Sequence, residues 1–461
     1  MAEKKLSLEE MLKSTSGQRI LFLGKEALFS DKEIQGFLKN YGLSLVREYS
    51  PDISAVIEHS MLNPVEEDIS CMAYDAQIPL YDLGDFEKLL SKEIKDDELL
   101  MILKLSNDQD RLFRLLGNEH ISNSLFVKLL LMHQWQDEDD DDRNDRDVIS
   151  YTLRRYVRIK PNEEDLLYSY LTLRRLATKS SDVKLLFALL NFPNFTFLLR
   201  GKANTSLRET IAKNPHIDEE IVQKLLRFRQ AHIDQALAGN TNVNVSVLEL
   251  FAQRNIEALD KALATNTQIN TKIFNQLLDK GDEVLSLLLY WQNLDLERFV
   301  QIEALALDSD ILAIMGANEN LSTKLIERLL KSANTALLAH LCANKSLLST
   351  HLASLYAQNN HCLYAPLAGN PHTPIDILEA LYTAHNEDEG ILLALSKNPS
   401  TPIYILELLF AKEVFVLQEG LASNASLPKA LLDILQVDTR LRNALSENEH
   451  FVSKVTITLD Y

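Results

Sequence analysis

The chain has 461 residues, 46% of them hydrophobic and 25% charged, which is the composition of an ordinary globular protein too long for one compact core. Its 86 leucines against 13 glycines and 12 prolines favour helices and disfavour a large all-β protein. Acidic residues outnumber basic residues by 66 to 47, a formal net charge of −19, so a general DNA- or RNA-coating role is disfavoured.

Targeting and cofactor signals are missing from the sequence. No apolar run reaches about 18 residues and the N-terminus has no apolar signal core, so we predict a cytoplasmic protein without a membrane contact. Cys71, Cys342 and Cys362 form no CxxC pair, which predicts no metal site and no cofactor. No nucleotide-binding loop, nucleophile elbow or zinc-protease motif occurs, so we predict no catalytic residue and no enzyme activity.

After a tail at 1–16, residues 17–95 are predicted to form a small α/β domain. Ser30 is a helix cap and Gly42 a helix stop. The order βαββαβα fits a small sheet with helices on its faces. The predicted strands are 19–24, 43–49, 53–60 and 78–83, and the predicted helices are 30–42, 65–77 and 84–94.

In length, in element order and in the stretch GLSLVREYSPDISAVI, this region resembles a BRCT domain. Such domains often bind phosphopeptides through a Ser or Thr before a Gly at the end of the first strand and a Lys on the second helix. Here the strand ends in Leu23, Gly24 and Lys25, and helix 65–77 has neither Lys nor Arg. The resemblance therefore implies a structural or protein-docking module, with Lys25 as the one candidate anion contact.

A first helical repeat at 96–135 is followed by a strongly charged segment. The run DEDDDDRNDRD holds eight acids and two arginines, and we predict a solvated acidic loop at 136–150. Calcium binding is the alternative, but the run has no Gly for a tight turn and no terminal Glu.

A helical connector is predicted at 151–184, and its start is basic. Arginines interleaved with tyrosines can bind nucleic acid. The alternative, which we favour, is a helix whose basic face pairs with the neighbouring acidic loop. The candidate nucleic-acid or anion contacts are Arg154, Arg155, Arg158 and Lys160.

Between residues 185 and 450 an asparagine recurs after a short apolar segment. When Asn293 is included, successive positions from Asn214 onward are 24 to 28 residues apart. Apolar residues follow at +3, +7, +8 and +11, one stripe of a helix, so each unit is predicted to hold one shorter and one longer helix. The asparagine is predicted to end the shorter helix and to bond the backbone of the bend. An earlier copy of the pattern ends at Asn118, and the other repeat positions are Asn214, Asn240, Asn266, Asn318, Asn344, Asn370, Asn398, Asn424 and Asn448.

Two units have explicit helix starts, with Thr373 and Thr401 as predicted N-caps and Pro374 and Pro402 at the first helical position. The pattern AxNPxTPxxxLxxL resembles the leucine-rich repeat variant family, a HEAT-like α-solenoid, over about 100–131 and 185–450. Some members carry a cysteine-ligated iron–sulfur cluster, but Cys71 is the one cysteine before the repeats, so that cofactor does not transfer. The family implies a fold and no reaction.

These patterns predict a mainly α protein: a right-handed α-solenoid of roughly 26-residue two-helix repeats, preceded by a small α/β domain and followed by a tail at 451–461. We expect a non-catalytic scaffold or adaptor that holds a protein partner, of basic charge, along the helical repeats. Two alternatives stay open. One is a nucleic-acid maintenance factor that uses the BRCT-like module and residues 151–160. The other is an enzyme with an unrecognised groove site, for which residues 281–306 are the one break in the pattern. The oligomeric state stays open.

Overall fold

The computed structural model describes residues 6–14, 18–24, 28–135, 143–157, 170–198, 203–305 and 307–450. The chain divides into two compact units, Met1–Arg227 and Phe228–Tyr461. The fold is mainly α-helical with a small parallel sheet near the N-terminus.

The sheet has four parallel strands in the order β2-β1-β3-β4, and the element order βαββαβα agrees with the prediction. Helix α2 begins with a capping box in which Ser30 and Glu33 satisfy each other's backbone amides. The strands are β1 Arg19–Leu23, β2 Ser44–Val46, β3 Ile53–Glu58 and β4 Leu80–Asp82. The helices are α2 Asp31–Asn40, α3 Pro64–Asp75 and α4 Leu83–Glu93.

The segment predicted as an N-terminal tail contains a helix, α1 Leu8–Ser14. Leu8, Met11 and Leu12 are buried because their spacing places them on one face, which packs against α4. The hydroxyl of Tyr81 donates a hydrogen bond to the Leu6 carbonyl over 3.1 Å and holds the start of this helix.

Eight helices and a short hairpin complete the first unit in the described residues. They are α5 Asp96–Ser106, α6 Gln109–Leu116, α7 Asn123–Leu130, α8 Arg143–Tyr156, α9 Tyr170–Lys179, α10 Val183–Leu189, α11 Leu207–Ala212, α12 Glu219–Arg227, β5 Thr196–Phe197 and β6 Thr205–Ser206.

Helix α8 corrects the predicted acidic loop at 136–150, because the chain is helical from Arg143 onward. Val148 and Leu153 are fully buried, and Asp145 lies 2.7 Å from the His133 ring nitrogen. The apolar spacing and this contact hold the acidic sequence in a helix. Residues 136–142 lie outside the described residues.

The second unit alternates two kinds of helix. The odd-numbered helices, here called first helices, precede the repeat asparagines, and the even-numbered helices, here called second helices, follow them. Each first helix packs against the next first helix, from α13 to α29. The helices are α13 Ala231–Ala238, α14 Val245–Gln253, α15 Glu257–Thr265, α16 Thr271–Leu277, α17 Asp282–Trp291, α18 Leu296–Glu303, α19 Ser309–Ile314, α20 Thr323–Leu329, α21 Thr335–Ala343, α22 Ser349–Tyr356, α23 Tyr364–Gly369, α24 Ile375–Ala384, α25 Glu389–Lys397, α26 Ile403–Phe410, α27 Phe415–Ser423, α28 Lys429–Leu435 and α29 Arg442–Glu447.

The prediction of a shorter helix before each asparagine and a longer one after it fails in several units. Helix α21 has 9 residues and α22 has 8, and α25 and α26 show the same reversal. The first helices are longer than predicted because they begin at N-caps that lie upstream of the short apolar segment. Asn334 is the N-cap of α21 and Asp388 is the N-cap of α25.

Candidate functional site

The repeated asparagine forms hydrogen bonds in two directions, as Asn370 illustrates. Its side-chain oxygen accepts from the backbone amide of His372 over 2.8 Å, which closes its own bend. Its side-chain nitrogen donates to the carbonyls of Cys342 and Asn344 in the preceding unit, over 2.7 and 2.9 Å. One buried amide therefore organises a bend and joins two neighbouring units.

The same bonds recur throughout the second unit, and we call the set the amide ladder. The side-chain nitrogens of Asn266, Asn344, Asn398, Asn424 and Asn448 each donate to the carbonyl of the preceding repeat asparagine, over 2.8 to 3.0 Å. The partners are 24 to 28 residues apart in the sequence. Asn240 closes its bend through the amide of Asn242.

In the first unit, Asn214 and Asn118 bond different partners. The side-chain nitrogen of Asn214 donates to the carbonyls of Ala177, Thr178 and Ser180. That of Asn118 donates to the Ser91 hydroxyl over 2.7 Å, while its oxygen closes a bend through the amide of His120.

The repeat position between Asn266 and Asn318 is predicted at Asn293, but Gln292 occupies it in the structure. The Gln292 side chain donates to the carbonyls of Ala264 and Asn266 over 2.8 and 2.9 Å, and Asn318 donates in turn to the Gln292 carbonyl. The sequence does contain a signal for Gln292, because this residue lies 26 positions from both Asn266 and Asn318.

The bend after Gln292 also differs from the others. Its helix cap, Asp295, follows three residues later, whereas Ser322 follows Asn318 by four. The Leu294 amide, which would meet the side-chain oxygen in a regular bend, donates to the Asn320 carbonyl. The buried oxygen of Gln292 therefore has no hydrogen-bond partner among the described residues.

The predicted caps Thr373 and Thr401 do not act as N-caps. Their hydroxyls donate to the carbonyls of Leu367 and Leu395, over 2.6 and 2.8 Å, at the end of the preceding first helix. Both side chains are buried there. Pro374 and Pro402 occupy the cap position instead of the first helical position, and the helices start one residue later at Ile375 and Ile403.

Arg155, a candidate nucleic-acid contact, is bound to the protein's own backbone. Its guanidinium donates to the carbonyls of Asn118 and Ile121, both over 2.7 Å, and lies 4.7 Å from the Phe126 ring centre. Burial lowers the pKa of Arg155 from its usual value. Arg155 thus gives the Asn118 carbonyl the donor that the amide ladder supplies in the second unit.

Of the other basic candidates, Arg154 lies within the described residues. Arg154 is exposed, and a cavity of about 320 Å³ lies between it, Arg155, Tyr151 and Glu119. The predicted contacts Lys25, Arg158 and Lys160 lie outside the described residues.

Carboxylates already occupy the end of β1, where a BRCT-like phosphate contact would be expected. The Gly24 amide donates to Glu66 of α3 over 3.2 Å. The Leu28 amide donates to Glu87, whose pKa is raised by burial. These acids disfavour an incoming phosphate group by like-charge repulsion.

No protein-family model, curated protein or solved structure matches this chain.

The described residues contain no group of three or more His, Cys, Asp or Glu side chains that could hold a metal ion. Burial raises the pKa of the Cys342 thiol to about 12, which suppresses its nucleophilic thiolate form. No helix within these ranges combines the length and hydropathy needed to span a bilayer.

Proposed function

We propose that this chain is a non-catalytic protein-interaction scaffold or adaptor. The amide ladder carries the proposal, because it commits the repeated polar side chains to joining units. The exposed residues of the second helices are then free to differ from unit to unit, as a binding surface requires. Helical repeats typically bind partners through such extended surfaces.

We propose in addition a right-handed α-solenoid of about 26-residue two-helix units, similar to the leucine-rich repeat variant and HEAT-like repeats, over about 100–131 and 185–450. Hydrogen bonds between residues 26 apart and the packing of successive first helices support it. A BRCT-like module at 17–95 is supported by its element order and parallel sheet.

The partner we propose is a basic protein. The net charge of −19 attracts cationic surfaces and accelerates their encounter with the chain. A cytoplasmic location is part of the same proposal.

Affinity purification from native lysate at low and at high salt tests the scaffold proposal. We expect a stoichiometric protein partner at low salt that is partly released at high salt, since screening weakens exposed charge pairs. Recovery of the chain without a stoichiometric partner under both conditions would contradict the proposal.

The two alternatives gain less support. A nucleic-acid maintenance factor needs free cations in the basic segment, and Arg155 is held by two carbonyls. An enzyme in the groove needs reactive groups at 281–306, where Gln292 joins units through backbone bonds.

A further inference from the structure

The last three described second helices, α24, α26 and α28, expose large apolar side chains together. Counted from each repeat asparagine, residues +7, +8 and +11 face the core, so +5, +6, +9 and +10 project on the opposite side. The large apolar residues at these positions are Ile375, Ile403, Tyr404, Leu408 and Ile434. Each of these five residues is between 47% and 58% exposed.

An acidic side chain occupies position +9 in the same three helices: Glu379, Glu407 and Asp433. The Tyr404 hydroxyl donates to Glu379 over 3.0 Å and connects α26 to α24. Glu407 has no ion-pair partner within the described ranges. We call the five apolar residues and these three acids the C-terminal face.

A cavity of about 710 Å³ adjoins this face between α26 and α28. Ile403, Pro402 and Leu432 supply apolar lining, and Lys429 also lines the cavity. The face therefore combines a recess with exposed apolar side chains and a row of acids.

Other second helices of this unit lack the same combination. At +9 and +10, α16 has Asn275 and Gln276, and α22 has Ala353 and Ser354. Helix α14 has an acid and a leucine there, Glu249 and Leu250, but Glu249 is bound by Lys272 and Asn270. The unneutralised acid beside exposed leucine is thus a local property of the C-terminal face.

We propose that the C-terminal face binds a basic amphipathic helix of a protein partner, an inference that rests on the scaffold function proposed above. The acids recur once in each unit, at position +9 of α24, α26 and α28. A partner helix with Lys or Arg at every seventh position carries cations about 10 Å apart along one face. With leucines between them, it offers positive charge to the acids and apolar side chains to the exposed apolar residues.

The test uses the full chain and a fluorescent helical peptide of about 21 residues, with Lys at every seventh position and Leu between. We expect binding by anisotropy that weakens with added salt. Leu408→Asp and Glu407→Lys should each reduce affinity about tenfold or more, because they affect the centre of the face.

Two matched variants serve as controls. Leu250→Asp changes a leucine at the same +10 position with 56% exposure, and Glu327→Lys changes an acid at the same +9 position. We expect both to alter affinity by less than about twofold. Equal losses in variants and controls, or equal binding of a peptide with Glu in place of Lys, would overturn the proposal.

Three further outcomes separate the proposals. Unchanged capture of a lysate partner by Leu408→Asp would overturn the face and leave the scaffold function standing. Peptide binding without any stoichiometric lysate partner would support the face and oppose the scaffold. If deletion of 451–461 strengthens peptide binding, or if the chain self-associates through Leu408, the occupant is the chain itself and the partner proposal fails.

Discussion

The joint between the N-terminal sheet domain and the first helical repeat contains a buried ion pair, whereas the joints in the second unit repeat a buried neutral amide. Arg111 of α6 pairs with Glu33 of α2, and both side chains are about nine-tenths buried. Asn344, by contrast, donates to the Asn318 carbonyl and needs no counter-charge. A buried ion pair stabilises only while both partners are present, but an amide donates and accepts by itself and can be repeated at every joint.

The largest effect is expected where the charged joint is broken. Arg111→Ala leaves the Glu33 carboxylate buried without its cation, at a cost of about 3–5 kcal/mol. Hydrogen exchange of the α2 and α6 amides, together with urea unfolding, measures the loss.

Two variants sharpen this comparison. The exposed neighbour Arg114→Ala should stay within about 0.5 kcal/mol of wild type. The double variant Arg111→Met with Glu33→Gln should recover most of the stability, because it removes both charges together and keeps a side-chain acceptor for the Ser30 amide. A double variant as unstable as Arg111→Ala would argue against the ion-pair explanation.

The next effect is expected in the amide ladder. Asn398→Ala removes the donor to the Ala368 and Asn370 carbonyls and the acceptor for the Ser400 amide. Leaving these buried groups unpaired should cost about 2–4 kcal/mol. Chemical denaturation measures the loss of unfolding free energy, with the exposed variant Asn386→Ala as the control. Equal stabilities of the two variants would show that the amide ladder does not stabilise the second unit.

A smaller effect is expected at the irregular joint. Gln292→Asn shortens the side chain in a bend that already lacks one residue, so at least one bond to Ala264 or Asn266 is lost, at about 1–2 kcal/mol. The exposed Gln276→Asn is the control. If Gln292→Asn is more stable than wild type, the length of the glutamine side chain is not what allows the bonds to Ala264 and Asn266, and the prediction is wrong.

The smallest effect concerns pH. Burial raises the pKa of Glu87 above its usual 4.5, so the folded chain holds this proton more tightly than the unfolded chain. Its contribution to stability is present below pH 4.5 and is lost as pH rises through the raised pKa. Glu87→Gln keeps an acceptor for Leu28 and should gain Tm relative to wild type as pH rises. A difference that is constant with pH would contradict this.

Much of the fold is readable from local patterns. Ser30 and Gly42 bound helix α2 as predicted, because capping chemistry depends on a few neighbouring residues. The spacing of Leu8, Met11 and Leu12 is an equally local signal for α1. It is easily missed because the helix has only 7 residues.

The errors come from contacts that are distant in sequence. Asn293 and Gln292 are neighbouring residues with side-chain amides. What distinguishes them is that the Gln292 side chain donates to the carbonyls of Ala264 and Asn266 in the preceding unit. Thr373 looked like a cap because its hydroxyl is near a helix start, but the carbonyl of Leu367 competes for it. Arg155 is predicted to be available for nucleic acid because its partners are backbone carbonyls, which every residue carries and which a sequence therefore does not reveal.

The unit from Asn370 to Asn398 spans 28 residues and that from Asn424 to Asn448 spans 24, yet both end in the same pair of carbonyl bonds. Three of the four extra residues are taken up in α24, which has 10 residues where α28 has 7, and the fourth lies in the bend that follows it. Joints of this kind tolerate insertions and deletions within the second helix, the element that carries the exposed residues. Such a chain can change the length of a second helix and its exposed side chains in one unit while the hydrogen bonds to the neighbouring units stay the same.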